Sequence, residues 1–260
     1  MIQIYNENCM ETMDKMDAGT IDAIITSPPY NNGRSLDSNS SGSFYDEYDD
    51  KLSEEEYREF TLNLFTKFDR IIKPNGIVLY NINYNSHNTA LPYLVMADIL
   101  EKTNWTVSDT IIWKKPSALP NNVDPRHLTR IWEFVWVFCR KTETATHITN
   151  RQISRISPVG QKFYKSIFNL LDAPNNDCPT PDINQATYSS ELVTQLLKIY
   201  VKNEPSVTIY DPFMGTGTTA VACKRYGVNC IGSELSAKQC DYAKNRLDAT
   251  NKVKSILDWS

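Results

Sequence analysis

Two hydrophobic rhythms alternate along the chain. Several short apolar runs of four to six residues are followed by a longer segment with helical spacing. The first run, IDAIIT at 21–26, ends in Ser27-Pro28-Pro29 and predicts a buried strand stopped by prolines, which cannot donate to a sheet ladder. Ser53 with Glu56 three residues on fits a capping box, and Tyr57, Phe60, Leu64, Phe68 and Ile71 then recur on one helical face. Residues 73–76 (KPNG) read as a turn. Further strands are predicted at 77–82, 110–113, 134–138, 207–210 and 229–232, and helices at 91–103, 190–201, 218–226 and 236–250. Alternation of this kind predicts an α/β fold, with a mostly parallel sheet covered by helices on both faces.

Two stretches break the rhythm. Residues 31–53 are rich in Asn, Ser, Asp and Gly, the composition of a long functional loop, expected to close over a bound substrate. Residues 142–184 are irregular and rich in Pro and Asn, with no evident core.

Composition alters this picture little. With 260 residues, 41% hydrophobic and 22% charged, the chain is of ordinary globular type. No apolar run approaches the roughly 18 residues of a membrane span, and the opening Met-Ile-Gln-Ile-Tyr lacks a signal-peptide pattern, so a cytoplasmic location is expected. The six cysteines show no CxxC or zinc spacing, and no metal is implied. Charge is more informative. The chain carries −4 overall, yet between Ile111 and Lys165 ten Lys or Arg face three acids. A basic region on an acidic body is expected where one face meets phosphates, with Lys114, Lys115, Arg126, Arg130 and Arg155 the candidate contacts.

Two motifs carry chemistry. In VTIYDPFMGTGTT (207–219) a strand runs through Asp211 and Phe213 into a turn with Gly215 and Gly217, and a helix begins at Thr218. Glycines let the backbone approach a ligand closely, and a downstream strand ending in an acid, here Glu234, is where α/β folds hold ribose hydroxyls. Asp211 is an acceptor for an amino group. The second motif is Thr26-Ser27-Pro28-Pro29-Tyr30-Asn31. Its prolines fix the backbone, the Pro28 carbonyl and Ser27 hydroxyl offer acceptors, and Tyr30 offers a flat face: a site for a planar ring bearing an NH₂ group. If Tyr30 only stacks, its hydroxyl is dispensable.

SPPY followed far downstream by DPFMGTGTT resembles the amino-methyltransferases of DNA in their beta arrangement, with the catalytic segment before the cofactor loop. The resemblance covers roughly 1–114 and 185–250. It implies an S-adenosylmethionine-dependent methyltransferase fold, formed by 1–114 with 185–260, around a target-recognition region at 115–184. It implies S-adenosylmethionine bound at Phe213, Gly215, Gly217, Thr218 and Glu234, with 190–200 packed near its methionine end, and double-stranded DNA as substrate. A homodimer and a cognate restriction endonuclease are open as further partners. The family commonly carries Gly-Asp after its first strand, where this chain reads Glu7-Asn8-Cys9; Asn8 is the residue left to meet the adenine.

The resemblance implies transfer to an exocyclic amine, N4 of cytosine where the motif begins with Ser, with N6 of adenine as the alternative. The target base must be flipped from the duplex, where Tyr30 would stack on it. Protein glutamine methyltransferases also use a Pro-Pro-Tyr segment, but the resembled enzymes place the cofactor loop first. A silent DNA-binding module fits poorly with intact Ser27, Tyr30, Asp211 and Gly215, and a small-molecule enzyme has no need of the basic middle.

Overall fold

The computed structural model describes residues 1–31, 48, 50–84, 88–118, 120–122, 124–176 and 187–250. In chain order the elements are β1 (Ile2–Tyr5), α1 (Cys9–Lys15), β2 (Ile21–Thr26), α2 (Glu54–Ile71), β3 (Ile72–Ile82), α3 (Leu91–Lys102), β4 (Trp105–Lys114), β5 (Trp132–Arg140), β6 (Ile153–Ile156), β7 (Lys162–Tyr164), β8 (Leu170–Asp172), α4 (Ser190–Tyr200), β9 (Thr208–Asp211), α5 (Thr218–Tyr226), β10 (Asn229–Ser233) and α6 (Ala237–Ala249). Eight strands form one sheet in the order β1-β10-β9-β2-β3-β5-β4-β8. The run from β1 to β3 is parallel throughout, β5 is antiparallel to both its neighbours, and β8 runs parallel to β4.

Both faces of the sheet are buried, which is why its strands read as continuous apolar runs. Ile25, Leu79, Val137 and Ile209 face a layer containing Leu192, Leu196 and Val221 of α4 and α5. Their strand neighbours Ile24, Val78, Tyr80 and Phe138 face Met13, Leu64, Phe65, Phe68 and Ile99 of α1, α2 and α3. Phe65 centres this second layer, edge-on to Phe138 at 4.9 Å and to Trp105 at 6.0 Å between ring centroids. Each such side chain contributes about 1.5–3 kcal/mol by leaving water.

The helix boundaries follow local chemistry. The Ser53–Glu56 capping box forms as expected, with both reciprocal hydrogen bonds present. Residues 73–76, expected as a turn before the strand, lie instead within β3 as a bulge: pairing with β2 jumps from Ile21↔Ile72 to Ala23↔Ile77. Asn75 takes φ 64° there, and a Cβ on Gly76 would lie 2.3 Å from Ile72 Cγ2 and 2.8 Å from the Asp22 carbonyl, so only glycine fits.

The division at 115–184 needs correction. Strand β5, inside that span, pairs with β3 and β4 in the middle of the catalytic sheet, and β8 forms its edge. The run WEFVWVF is buried by the sheet's own helices, so it cannot belong to a separate lobe. The two-stranded β6–β7 sheet lies apart from the main one, and β6 is exposed along its length. The loop expectation for 31–53 lies mostly outside the described residues. At its ends the Asn31 amide N–H donates to Asp50 (2.9 Å) and the Asn31 side chain to the Leu52 carbonyl (2.7 Å).

The connections diverge between β9 and β2. From β2 the chain passes through α2 to β3 on one side; from β9 it passes through α5 to β10 on the other. In an open parallel sheet such a switch point leaves a crevice beyond the carboxyl ends of the strands.

Candidate active site

A cleft occupies that crevice. Its walls come from the segments that leave β2, β9, β10 and β1, and include Ser27, Pro29, Phe213, Gly215, Glu234 and Asn8. Two motifs about 180 residues apart in sequence thus share one cavity, because the strands that carry them, β2 and β9, are sheet neighbours.

The glycine loop is built around two carboxyl groups, those of Glu234 and Asp211. Gly215 turns with φ 52°, and its N–H donates to Glu234 Oε2 at 2.8 Å, while the Ser236 N–H donates to Oε1 at 2.9 Å. The carboxylate is thereby fixed at the end of β10, facing the cleft. Thr218 lines the same wall at the start of α5. Asp211 behaves otherwise than expected. It is 0% exposed and does not line the cleft. Its Oδ1 accepts from the Thr26 hydroxyl (2.8 Å) and the Phe213 N–H (3.0 Å), and its Oδ2 from the hydroxyls of Tyr188 (3.2 Å) and Thr219. Burial pushes its pKa up even against these donors. Asp211 therefore ties β2, β9, α5 and the segment before α4 together beneath the site, leaving no oxygen for a ligand. Gly217 also stands back from the cleft. It has φ 85° and caps α5, and a Cβ there would lie 2.7 Å from Ala243 Cβ of α6. Its glycine serves the close approach of two helices.

Asn8 lines the cleft, but its side-chain oxygen accepts from the Met10 N–H as the N-cap of α1. Only its NH₂ is left to meet a ligand. Cys9, beside it, is the cysteine in the wall; burial pushes its thiol up to about 12, so it offers no thiolate at neutral pH.

The SPPY segment is held from below. The Tyr57 hydroxyl of α2 donates to the Pro29 carbonyl at 2.7 Å, and Pro28 is buried. Ser27 and Pro29 reach the cleft wall. The Tyr30 hydroxyl sits 2.9 Å from Ser27 Oγ, 2.9 Å from Asn81 Oδ1 and 3.0 Å from Glu133 Oε2. It is thus engaged on three sides, contacts that a role in stacking alone does not call for. Neither Asn81 nor Glu133 was singled out from sequence. The signal was present: each is a polar residue inside an otherwise apolar strand, NGIVLYNI and WEFVWVF, and a buried polar group needs a partner.

The basic residues separate into groups. Lys115 pairs with Glu133 and lies over the Trp113 ring at 4.6 Å, so its charge is neutralised beside the site. Arg130 donates to the Tyr84 carbonyl and lies over that tyrosine's ring; Lys114 pairs with Asp172 at 3.2 Å. Arg126 pairs with Asp124 at 2.9 Å but stays 82% exposed, and Arg155 lies over the Phe163 ring on the β6–β7 hairpin. Arg140 and Lys141 sit at the opposite end of β5, where they bond Asp69 and the carbonyls of Ile72, Leu100 and Thr103. The stretch is therefore not a single basic face.

A family model described as DNA methylase matches residues 21–245. The type II methyltransferase M2.DpnII of Streptococcus pneumoniae is 28% identical over 266 residues, covering 96% of this chain and 93% of its own. M1.HpyAVI in complex with S-adenosylmethionine is 26% identical with a TM-score of 0.58, over 95% of this chain and 100% of its own. The cytosine-N4-specific PvuII DNA methyltransferase shares the fold, with a TM-score of 0.68 at 19% identity over 98% of this chain and 96% of its own. The chain belongs to the DNA methylase family of S-adenosylmethionine-dependent N6 and N4 amino-methyltransferases. The cleft suits that cofactor: Glu234 is an anchored carboxylate for hydroxyl donors, Gly215 brings backbone to the wall, and Phe213 supplies an apolar flank. Among the described residues no helix is long and apolar enough to cross a membrane.

Proposed function

We propose that this chain methylates the exocyclic N4 of cytosine within a specific sequence of duplex DNA, as the modification partner of a restriction endonuclease, and that Ser27 receives the target amine. The observation that carries this reading is the shared cleft: Ser27 and Pro29 line one part of its wall, and Gly215 and Glu234 another. S-adenosylmethionine supplies an electrophilic methyl group when bound, and Phe213, Gly215, Thr218, Glu234 and Asn8 would hold it.

An exocyclic amine is a weak nucleophile because its lone pair is delocalised into the ring. Hydrogen bonds from its two N–H groups to Ser27 Oγ and the Pro28 carbonyl draw the nitrogen towards tetrahedral geometry and localise that pair. Holding both reactants in one cleft supplies the orientation that a bimolecular reaction in water lacks. The amine lies inside the duplex, so the base must leave its stack to reach Ser27. Ser27 is neutral, which fits cytosine; adenine N6 is the competing target. Incubation with duplex DNA, digestion to nucleosides and mass spectrometry tests the choice: N4-methylcytosine is expected, and N6-methyladenine as the product would overturn it.

Arg126, exposed before β5, and Arg155, exposed on strand β6, both lie outside the main sheet and are proposed to contact phosphates. Replacing either by alanine is expected to lower DNA affinity and to reduce the slope of log K against log salt by about 0.9 for each phosphate no longer neutralised. Lys115→Met carries no such expectation, because its charge is paired within the protein. Unaltered slopes for both arginines, from titrations between low and physiological salt, would remove them from the interface.

A further inference from the structure

The hydrogen bonds beneath Ser27 have a fixed direction, and a buried carboxylate sets it. Asn81 is 2% exposed and Glu133 8% exposed, on the adjacent strands β3 and β5. The Asn81 amide has one orientation: its Nδ2 donates to the Phe134 carbonyl (2.9 Å), which can only accept, and to Glu133 Oε2 (3.2 Å). Asn81 therefore turns Oδ1 to Tyr30, and Glu133 turns Oε2 to the same hydroxyl. Lys115 pairs with Oε1, and a carboxylate paired with a cation accepts hydrogen bonds and does not donate them. Tyr30 thus faces two acceptors and must give its one proton to them. The contact between Ser27 and Tyr30 can then run only one way, with Ser27 donating.

We infer that Glu133 is a positioning residue of the methyl transfer: by committing Tyr30 to donate towards the sheet, it commits the Ser27 proton to Tyr30 and leaves Ser27 Oγ an acceptor for the target amine. The inference rests on the proposed role of Ser27. The same chain carries the proton away. When the N–CH₃ bond forms and the S–CH₃ bond breaks, the nitrogen holds one proton too many. It passes to Ser27 Oγ, whose own proton moves to Tyr30 Oη, whose proton moves to Glu133 Oε2. Both hydroxyls end as they began, and the carboxylate holds the proton until solvent takes it.

Glu133→Gln tests this with little change of shape. Lys115 would draw the new amide oxygen to itself, leaving the amide NH₂ towards Tyr30 and Asn81, so a donor replaces the acceptor and the polarity reverses. The single-turnover rate is expected to fall about tenfold or more, with DNA and S-adenosylmethionine affinity within about twofold of wild type. Tyr30→Phe breaks the same chain without touching the ion pair, and is expected to show the same loss. The deciding comparison is in a Ser27→Ala background, where neither change should reduce the rate further, since both act through Ser27. A folded Glu133→Gln with the wild-type rate would overturn the inference, as would an equal loss with and without Ser27. If Ser27→Ala alone keeps the wild-type rate, the role of Ser27 fails first, and with it this one.

Discussion

Ser27→Ala is expected to lower kcat by about 100-fold while leaving the affinities for cofactor and DNA nearly unchanged. The serine lines the cleft, and its main-chain position is fixed independently of its hydroxyl by the Pro28-Pro29 pair and by the Tyr57 hydroxyl on the Pro29 carbonyl. Removing one oxygen should therefore not move the segment. The missing hydrogen bond matters most as the target nitrogen becomes tetrahedral, so the cost falls on the transition state more than on binding. Steady-state kinetics with calorimetric cofactor affinity checks this: a raised KM with unchanged kcat would make Ser27 a binding residue instead.

The largest effect on stability is expected at Asp211. Asp211→Ala should destabilise the fold by about 3 kcal/mol or more, because the hydroxyls of Thr26, Tyr188 and Thr219 and the Phe213 N–H all lose their acceptor in a site closed to water. Asp211→Asn should cost much less. Its amide oxygen can serve Phe213 and Thr26, and its NH₂ can donate to the Tyr188 and Thr219 hydroxyls, which rotate to accept. The raised pKa gives the sign of the pH effect. A group that holds its proton more tightly folded than unfolded makes the fold more stable as pH falls through its folded pKa, and Asp211→Asn should lose that contribution. Urea denaturation of the three proteins at several pH values measures both effects. An Asp211→Ala protein as stable as wild type, with cofactor affinity alone reduced, would return Asp211 to the cofactor site.

The sequence was most legible where backbone chemistry is local. The capping box at Ser53 and the strand-to-turn motifs at 26–31 and 207–219 form where residue type dictates them, and KPNG bends β3 as a bulge without ending it. Helix α1 and the edge strand β8 were not anticipated, because seven- and three-residue elements are too short to show a period, and the four-residue β1 was implied only by the resemblance. The site was legible as two motifs but not as a network. Asp211 reads from sequence as a ligand-facing acid, since only the fold reveals that Thr26 and Tyr188 from distant segments join Phe213 and Thr219 in enclosing it. Glu133 counts in the sequence only as one of three acids in a basic stretch, since only the pairing of β3 with β5 sets it beside Asn81 and Tyr30. Net charge misled for the same reason: Arg140 and Lys141 count towards a basic region but bond carbonyls at the far end of the sheet.

The most direct test of the account follows a labelled methyl group from S-adenosylmethionine into duplex DNA and locates it in the hydrolysed nucleosides. Label on an exocyclic nitrogen is the expected result, much reduced in Ser27→Ala and retained in Cys9→Ala. Label at C5 of cytosine would contradict the account, because methylation at a ring carbon proceeds through a covalent nucleophile, and the cysteine in this cleft wall, Cys9, is held protonated by burial.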